Sequence, residues 1–257
     1  MGALLRCNGL TRKFGGVVAL DGLDLQVEEG EILGLIGPNG SGKTTFFNVL
    51  TGVFPATSGE ARFGEMPITN FSPQAVYQAG IARTFQRSRL CLPLSLFDNL
   101  MVGNHKNLDH GLWFNVVRRR ALKRQIEEGR KAARELLELF DPPLAGRLFE
   151  PASRVPMIDR RRIEICRALI GKPRLLLLDE PSAGMTRDET RRLMDDLLEA
   201  RRRLGRLTIV LIEHEMSVIE RVTDRCVVLN YGKKIAEGAY RQVAEDPLVR
   251  QAYLGLS

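Results

Sequence analysis

The chain has 257 residues, of which 44% are hydrophobic and 27% are charged, as is typical of soluble globular proteins. This length allows one large α/β domain with an appended lobe. No apolar run approaches the roughly 18–20 residues of a membrane-spanning helix. The N-terminal residues lack the apolar core of a signal peptide, so we expect a chain that stays in the cytosol.

Lys and Arg outnumber Asp and Glu by 38 to 31, which gives a net charge of +7. Basic triplets stand at 118–120, 160–162 and 201–203. Such runs are usually solvated helix faces, and a partner or an anionic membrane surface is the alternative. Because no aromatic residues are interleaved with them, we do not expect nucleic acid binding.

Cysteine and histidine give no sign of a metal centre. The four cysteines form no Cys-x-x-Cys pair, and we expect reduced, mostly buried thiols. The three histidines are too few and too scattered for a zinc site. The cysteines are Cys7, Cys91, Cys166 and Cys226.

Strands dominate the first third of the chain, and helices follow. Short strands are predicted at Leu4–Cys7, Ala19–Val27, Ile32–Ile36, Ala61–Phe63 and Ile81–Thr84. The pattern then turns helical from Leu96 to about Phe140, where Pro142-Pro143 breaks it.

Strands return in the last third, separated by helices. Helices are predicted at 159–170 and 187–203, and strands at 174–178, 207–212, 225–230 and 234–237. Strands that alternate with helices favour a mainly parallel sheet and an α/β fold. The helical block from about 87 to 165 interrupts that sheet as a second lobe.

The segment after strand Ile32–Ile36 matches the phosphate-loop pattern Gly-x-x-x-x-Gly-Lys-Ser/Thr and leads into a helix. Its glycines let successive N–H groups turn inward around phosphate oxygens, and the helix N-terminus adds a positive end. Lys43 is expected to reach the outer phosphates and the Thr44 hydroxyl to ligate Mg²⁺. The predicted nucleotide-binding residues here are Gly37, Pro38, Asn39, Gly40, Ser41, Gly42, Lys43, Thr44 and Thr45.

Four consecutive leucines, Leu175–Leu178, precede Asp179 and Glu180. Such a run fits a central parallel strand covered on both faces, and acids at its carboxyl end lie where ligands bind in open α/β sheets. Asp179 is expected to hold Mg²⁺ through its water shell, and Glu180 to orient or deprotonate the attacking water. The alternative is an acidic surface turn.

With both motifs present, the chain resembles the nucleotide-binding subunit of an ATP-binding-cassette (ABC) transporter over nearly its whole length. The resemblance implies an α/β P-loop NTPase (RecA-like) core at about 1–86 and 172–237, with an antiparallel β subdomain. It also implies an inserted α-helical subdomain at about 87–171 and a helical tail at about 238–257.

The resemblance also assigns roles to residues outside the two motifs. His214 matches the switch histidine, Gln86 the glutamine-loop residue that contributes to the Mg²⁺ shell, and Phe14 the aromatic that stacks on adenine. The implied catalytic residues are Glu180, His214 and Lys43, and the implied metal ligands are Thr44, Gln86 and Asp179. The turn after the glutamate matches Pro181–Met185.

One family motif is degenerate. Where the family has Leu-Ser-Gly-Gly-Gln, this chain reads Val155-Pro156-Met157-Ile158-Asp159. Pro156 replaces the serine that meets the opposite subunit's γ-phosphate. Ile158 replaces a glycine, so we expect it to obstruct close approach and to disfavour positive φ. Thr186-Arg187 also departs from the usual Asn/Asp-Pro, and we expect one competent and one weakened composite site in a heterodimer.

Within the family the chain most resembles branched-chain amino acid importer ATPases, through Gly80–Gln86, the insert with Trp113-Phe114, Arg161–Ile165 and the tail Ala252–Gly255. The implied partners are a second ATPase subunit, two transmembrane permeases and, indirectly, a periplasmic solute-binding protein. The chain would then lie on the cytoplasmic face of the membrane and contact a permease through residues 86–104. Trp113-Phe114 is expected to pack inside the helical lobe or to contact a partner.

Several other functions remain open at this point. The chain could serve urea or amide uptake or lipopolysaccharide export, whose ATPases share part of the pattern. It could also be a weakly hydrolysing regulatory subunit, or an ABC ATPase acting on DNA or ribosomes. The last is disfavoured because the chain holds one cassette with no room for a long coiled-coil arm.

Overall fold

The computed structural model describes residues 2–86, 88–109, 111, 118–205 and 207–254. In these ranges the chain forms ten strands and ten α-helices, with two short 3₁₀ turns. The strands are β1 (Ala3–Phe14), β2 (Val17–Glu28), β3 (Ile32–Ile36), β4 (Ser58–Phe63), β5 (Met66–Pro67), β6 (Ile81–Arg83), β7 (Leu175–Asp179), β8 (Thr208–Ile212), β9 (Arg225–Asn230) and β10 (Lys233–Gly238).

The helices are α1 (Lys43–Leu50), α2 (Pro73–Ala79), α3 (Leu96–Gly103), α4 (Arg119–Phe140), α5 (Pro142–Ala145), α6 (Met157–Leu169), α7 (Arg187–Leu204), α8 (Met216–Val222), α9 (Tyr240–Glu245) and α10 (Pro247–Leu254). No helix among the described residues is both long and apolar enough to cross a membrane.

The larger sheet places the predicted motifs at one edge. Its order is β10-β9-β3-β8-β7-β6, and every neighbouring pair is parallel except β9 with the edge strand β10. All residues of β3, β7 and β8 are buried, as expected for parallel strands covered on both faces. The chain segments after these three adjacent strands therefore leave the same edge of the sheet.

A second, four-stranded sheet is antiparallel, in the order β2-β1-β4-β5. Leu5, Leu20, Leu25 and Phe63 from it belong to one apolar cluster with Phe46 of α1. The two sheets confirm the predicted α/β class with a mainly parallel core sheet and an antiparallel β subdomain. Several strands are longer than predicted, most of all β1, which continues to Phe14.

The described chain divides into two compact units. The first contains residues 1–83, 174–181 and 205–257, and the second contains 84–173 and 182–204. Helix α7 belongs to the second unit because it packs against α4 and α6.

The triplet at 160–162 is not a solvated face, contrary to expectation. Arg161 is 5% exposed and donates to Glu164 at 2.9 Å. Arg162 bonds the carboxylates of Asp141, Asp159 and Asp196 at 2.7–3.2 Å. A buried guanidinium needs such acceptors, so this triplet ties helices together inside the second unit.

Candidate active site

The phosphate-loop segment needs glycine at both of its ends. Gly37 follows β3 with φ 145°, and a Cβ there would lie 2.1 Å from the Leu229 carbonyl oxygen. Gly42 directly precedes α1 with φ 107°, and a Cβ there would lie 2.6 Å from the Ala19 carbonyl oxygen. Neither position accepts a side chain without moving backbone, so the loop conformation depends on these glycines.

Lys43 begins helix α1, and its ammonium group turns back into the loop. The Nζ atom donates to the carbonyl oxygens of Gly37 at 2.7 Å and Pro38 at 2.9 Å, with the Ser41 hydroxyl 3.4 Å away. Burial lowers the pKa of Lys43, and the charges of Glu180 and Asp179 oppose that change. The loop thus holds one buried cation among backbone dipoles.

The remaining loop residues differ in exposure. Asn39, Gly40 and Thr44 are exposed and Thr45 is half-buried, whereas Ser41 is buried. Pro38, Asn39, Gly40 and Ser41 also line a cleft of about 360 Å³. Its lining further includes Tyr231 in the β9–β10 turn and Leu248 and Gln251 of helix α10.

Asp179 is the last residue of β7, and it is 2% exposed. Its Oδ2 accepts a 2.6 Å hydrogen bond from Nη2 of Arg83, at the end of the neighbouring strand β6. Burial raises the pKa of Asp179, and the Arg83 hydrogen bond opposes that change. The carboxylate is therefore held in one orientation at the edge where β3 ends.

Glu180 and His214 meet beside it. Oε1 of Glu180 lies 2.6 Å from Nε2 of His214, which follows β8 by two residues. Glu180 has φ 49°, a left-handed conformation that is uncommon outside glycine, and its N–H donates to the Ile212 carbonyl oxygen at 2.9 Å. Strain of this kind persists where the surrounding structure fixes it, often at functional sites.

Phe14 ends β1 and is 38% exposed. It packs edge-on against Phe54, with ring centroids 5.2 Å apart and planes at 81°. The guanidinium carbon of Arg12 lies 4.3 Å from its ring centroid, and Arg12 itself is anchored to the Pro55 carbonyl oxygen at 2.9 Å. Phe14 is thus a partly exposed aromatic surface with one side supported by a cation.

Gln86 lies in the second unit, three residues after Arg83, and is exposed. Its backbone oxygen accepts a 2.8 Å hydrogen bond from Nη2 of Arg161. Arg161 in turn is paired with Glu164 on the same helix, so the backbone at Gln86 is anchored to α6.

The degenerate motif forms the start of α6. Pro156 is the N-cap, with no capping side-chain hydrogen bond, and Met157 is 47% exposed. Ile158 lies inside the first helical turn, so this residue does not adopt the positive φ that its glycine counterpart was expected to need. This agrees with the expectation that a β-branched residue disfavours positive φ, and the obstruction of close approach by Ile158 stays a prediction.

Thr186, which departs from the usual family residue, has a structural role that the sequence did not suggest. Its N–H and hydroxyl both donate to Glu189 at 2.9 Å, and its hydroxyl accepts from the Glu189 N–H at 3.3 Å. This reciprocal pairing is a capping box at the start of α7. Gly184, just before it, has φ 81°, and a Cβ there would lie 3.2 Å from Cε of Met157.

Arg83 and Arg12 were also missed by the sequence analysis. The signal in the sequence is that Arg83 follows two apolar residues inside the predicted strand Ile81–Thr84. If that strand is buried, the charge of Arg83 requires a buried partner. Trp113-Phe114 and Gly255, which carried part of the subgroup resemblance, lie outside the described residues.

Comparison with known proteins identifies the family. A family model described as ABC transporter matches residues 20–183, and a second, described as Branched-chain amino acid ATP-binding cassette transporter, matches 233–255. The chain is 38% identical over 252 residues to the high-affinity branched-chain amino acid transport ATP-binding protein LivG of Salmonella typhimurium, covering 98% of each. It is 36% identical over 255 residues to BraF of Pseudomonas aeruginosa, a protein with the same description, again covering 98% of each.

Solved structures agree. The ADP conformation of an ATP-binding cassette of an ABC transporter superposes with a TM-score of 0.84 at 30% identity, covering 99% of this chain and 100% of that one. A nucleotide-free cassette gives a TM-score of 0.83 at 29% identity, covering 98% and 99%. This chain therefore belongs to the ABC transporter family and is one of its ATP-hydrolysing cassettes.

Proposed function

We propose that this chain hydrolyses ATP to drive the import of branched-chain amino acids. Two observations support the substrate class: the relatives named above carry that description, and the tail at 233–255 matches the family model for such transporters. The observation that carries hydrolysis is the 2.6 Å contact of Glu180 with His214 beside the phosphate loop.

Nucleotide binding uses the loop and the strand end of β1. The N–H groups of Gly40–Thr45 surround the phosphates, and the Lys43 ammonium exchanges its carbonyl acceptors for phosphate oxygens. Phe14 offers its exposed ring to adenine, supported from one side by Arg12.

The donor set of the site fits Mg²⁺. Thr44 and Asp179 of the first unit supply a hydroxyl and a carboxylate, which are hard oxygen ligands that this ion prefers. The amide of Gln86 stays a ligand implied by the family resemblance. Mg²⁺ that binds with a nucleotide is usually held by one or two protein ligands together with phosphate oxygens, and it would supply charge neutralisation of the transferred phosphoryl group.

The hydrolytic step is assigned to Glu180 and His214. Glu180 accepts the hydrogen bond of the attacking water and orients it in line with the bond to be broken. In the structure Nε2 of His214 contacts Glu180, and donation in this contact holds the base in place. With ATP bound, the same N–H is assigned to the γ-phosphate. Lys43 stabilises the charge that develops on the phosphoryl oxygens.

The cassette works with other subunits at a membrane. We infer a second ATPase subunit, two permease subunits and, through them, a periplasmic solute-binding protein, with this chain on the cytoplasmic face. Residues 86–104 are the proposed permease contact, and Leu92, Leu94 and Val102 there are 38%, 39% and 59% exposed. The second compact unit, which carries this surface, is the proposed helical subdomain.

We infer further that the two composite ATP sites of the dimer differ. Pro156 presents no hydroxyl at the start of α6, and Ile158 adds a branched side chain where the family motif has glycine. The site that this chain completes for its partner is then the weaker one, whereas its own loop and Glu180 are intact. A purely regulatory subunit would show no loss of turnover when Glu180 is changed.

Uptake of labelled leucine tests the proposal. Cells lacking the gene should lose high-affinity uptake of leucine, isoleucine and valine, and the native gene should restore it. The Glu180→Gln gene should not restore it, at equal protein level. Intact uptake of all three amino acids in the deletion, with loss of urea or amide uptake or of lipopolysaccharide export instead, would contradict the substrate assignment.

A further inference from the structure

Arg83 occupies the space between the strand that carries Asp179 and the helix that follows the phosphate loop. Its Nη2 donates to Asp179 at 2.6 Å, and its Nη1 donates to Oδ1 of Asn48 at 2.7 Å. The Thr51 hydroxyl lies 3.4 Å from the same Nη1. Asn48 is on α1 and Thr51 directly follows that helix, so one guanidinium group joins β7 to α1.

The surroundings hold this guanidinium in one place. The Arg83 side chain is 5% exposed and that of Asp179 is 2% exposed. The guanidinium carbon lies 5.2 Å from the ring centroid of Phe47, which is fully buried. A buried ion pair with further hydrogen bonds and a packed face has little freedom to rearrange.

The elements that it joins carry the two proposed Mg²⁺ ligands of the first unit. Thr44 is in the first turn of α1, and Asp179 is the end of β7. A ligand pair binds Mg²⁺ tightly only when its spacing suits the small octahedral ion, because that ion tolerates little distortion. Mutation of a residue that orients a metal ligand typically lowers metal affinity by about ten- to hundredfold.

We propose that Arg83 is a positioning residue that holds Asp179 and helix α1 at the spacing required by Mg²⁺ bound with ATP. The proposal rests on the ATPase assignment above. Arginine suits the task because its planar fork reaches two acceptors at once, which the single ammonium of lysine cannot do in the same geometry.

Binding of a fluorescent ATP analogue to the full chain tests this, with Glu180→Gln present in every variant to prevent turnover. We expect Arg83→Met to raise the Mg²⁺ concentration needed for half-maximal tight binding by about tenfold. Affinity for the metal-free nucleotide in EDTA should change by less than about twofold, since the side chains that accept hydrogen bonds from Arg83, Asp179 and Asn48, lie outside the phosphate loop. Arg83→Lys should recover part of the Mg²⁺ response.

Arg225→Met is the matched control. Arg225 also pairs with a carboxylate, at 2.7 Å from the half-buried Glu31, but it lies opposite Leu33, near the end of β3 that is distant from the phosphate loop. Its loss should lower thermal stability without moving the Mg²⁺ dependence.

Two results would overturn the proposal: an unchanged Mg²⁺ dependence in folded Arg83→Met, or an equal loss of affinity with and without Mg²⁺. If Arg83→Met does not fold, Asn48→Ala removes the α1 end of the link and should raise the Mg²⁺ requirement by about threefold. No change in that variant would also overturn it. Failure of the ATPase assignment is distinguishable, because the parent Glu180→Gln protein would then show no Mg²⁺-dependent binding.

Discussion

Nε2 of His214 and Oε1 of Glu180 lie 2.6 Å apart, and each residue follows the carboxyl end of one of two adjacent parallel strands. The contact joins positions 34 residues apart in sequence at one edge of the sheet. The backbone of Glu180 is held in a left-handed conformation and its carboxylate is held by the imidazole of His214. The side chain is therefore positioned before any substrate binds.

Glu180→Gln should lower ATP turnover by about 10²- to 10⁴-fold, because the amide cannot act as a base. ATP affinity should stay near the native value, since the phosphate loop is untouched. Phosphate release from the assembled transporter and analogue binding to the isolated chain measure the two quantities.

His214→Ala should lower ATP turnover less than Glu180→Gln does, and the double variant should turn over no more slowly than Glu180→Gln alone if the two residues act as one unit. Additive losses would refute that coupling.

Phe14→Ala should weaken ATP binding by about five- to 150-fold, the equivalent of one lost base stack. Inorganic tripolyphosphate, which has no base, should bind both proteins equally. Phe14→Trp keeps an aromatic face and serves as the control. Arg12→Ala should have a smaller effect in the same direction, because it removes only the support on one side of the ring. Equal losses for ATP and tripolyphosphate would rule out the stacking role.

Pro156→Ser should restore a hydroxyl at the N-cap of α6. We expect this variant to exceed Pro156→Ala in free energy of unfolding by about 1 kcal/mol, since only the serine can cap the free N–H groups. Urea denaturation of both variants measures the difference.

In the assembled transporter, Pro156→Ser combined with Ile158→Gly should raise ATP turnover. A native rate in that combination would count against a weakened second site.

Arg162→Met should destabilise the second unit by about 3–5 kcal/mol, because it leaves three partly buried carboxylates without their common cation. Chemical denaturation gives the value. Arg202→Met is the control: Arg202 pairs with Glu199 on the solvent-exposed face of α7, and its loss should have no measurable effect. A similar loss of unfolding free energy in both variants would show that the ion pairs of Arg162 stabilise the protein no more than a surface ion pair does.

Arg162 and Arg202 show what could not be predicted from the sequence alone. Arg161 and Arg162 look the same in sequence as Arg202 and Arg203, since each pair belongs to a basic triplet on a helix. Only the packing of α6 against α4 and α7 buries the former pair among carboxylates. The same holds for Ile158, whose helical backbone depends on where α6 begins, a boundary that periodicity places only to within a few residues.

By itself, the sequence determined the phosphate loop, the strand that ends in Asp179 and Glu180, and the α/β class. These follow from local rules: glycine spacing, apolar runs and the alternation of strands with helices. The tertiary structure decided which distant residues meet, above all Arg83 with Asp179 and His214 with Glu180. Those contacts depend on the order β3-β8-β7-β6, because strand order is set by burial of the whole sheet and not by any one segment of the chain.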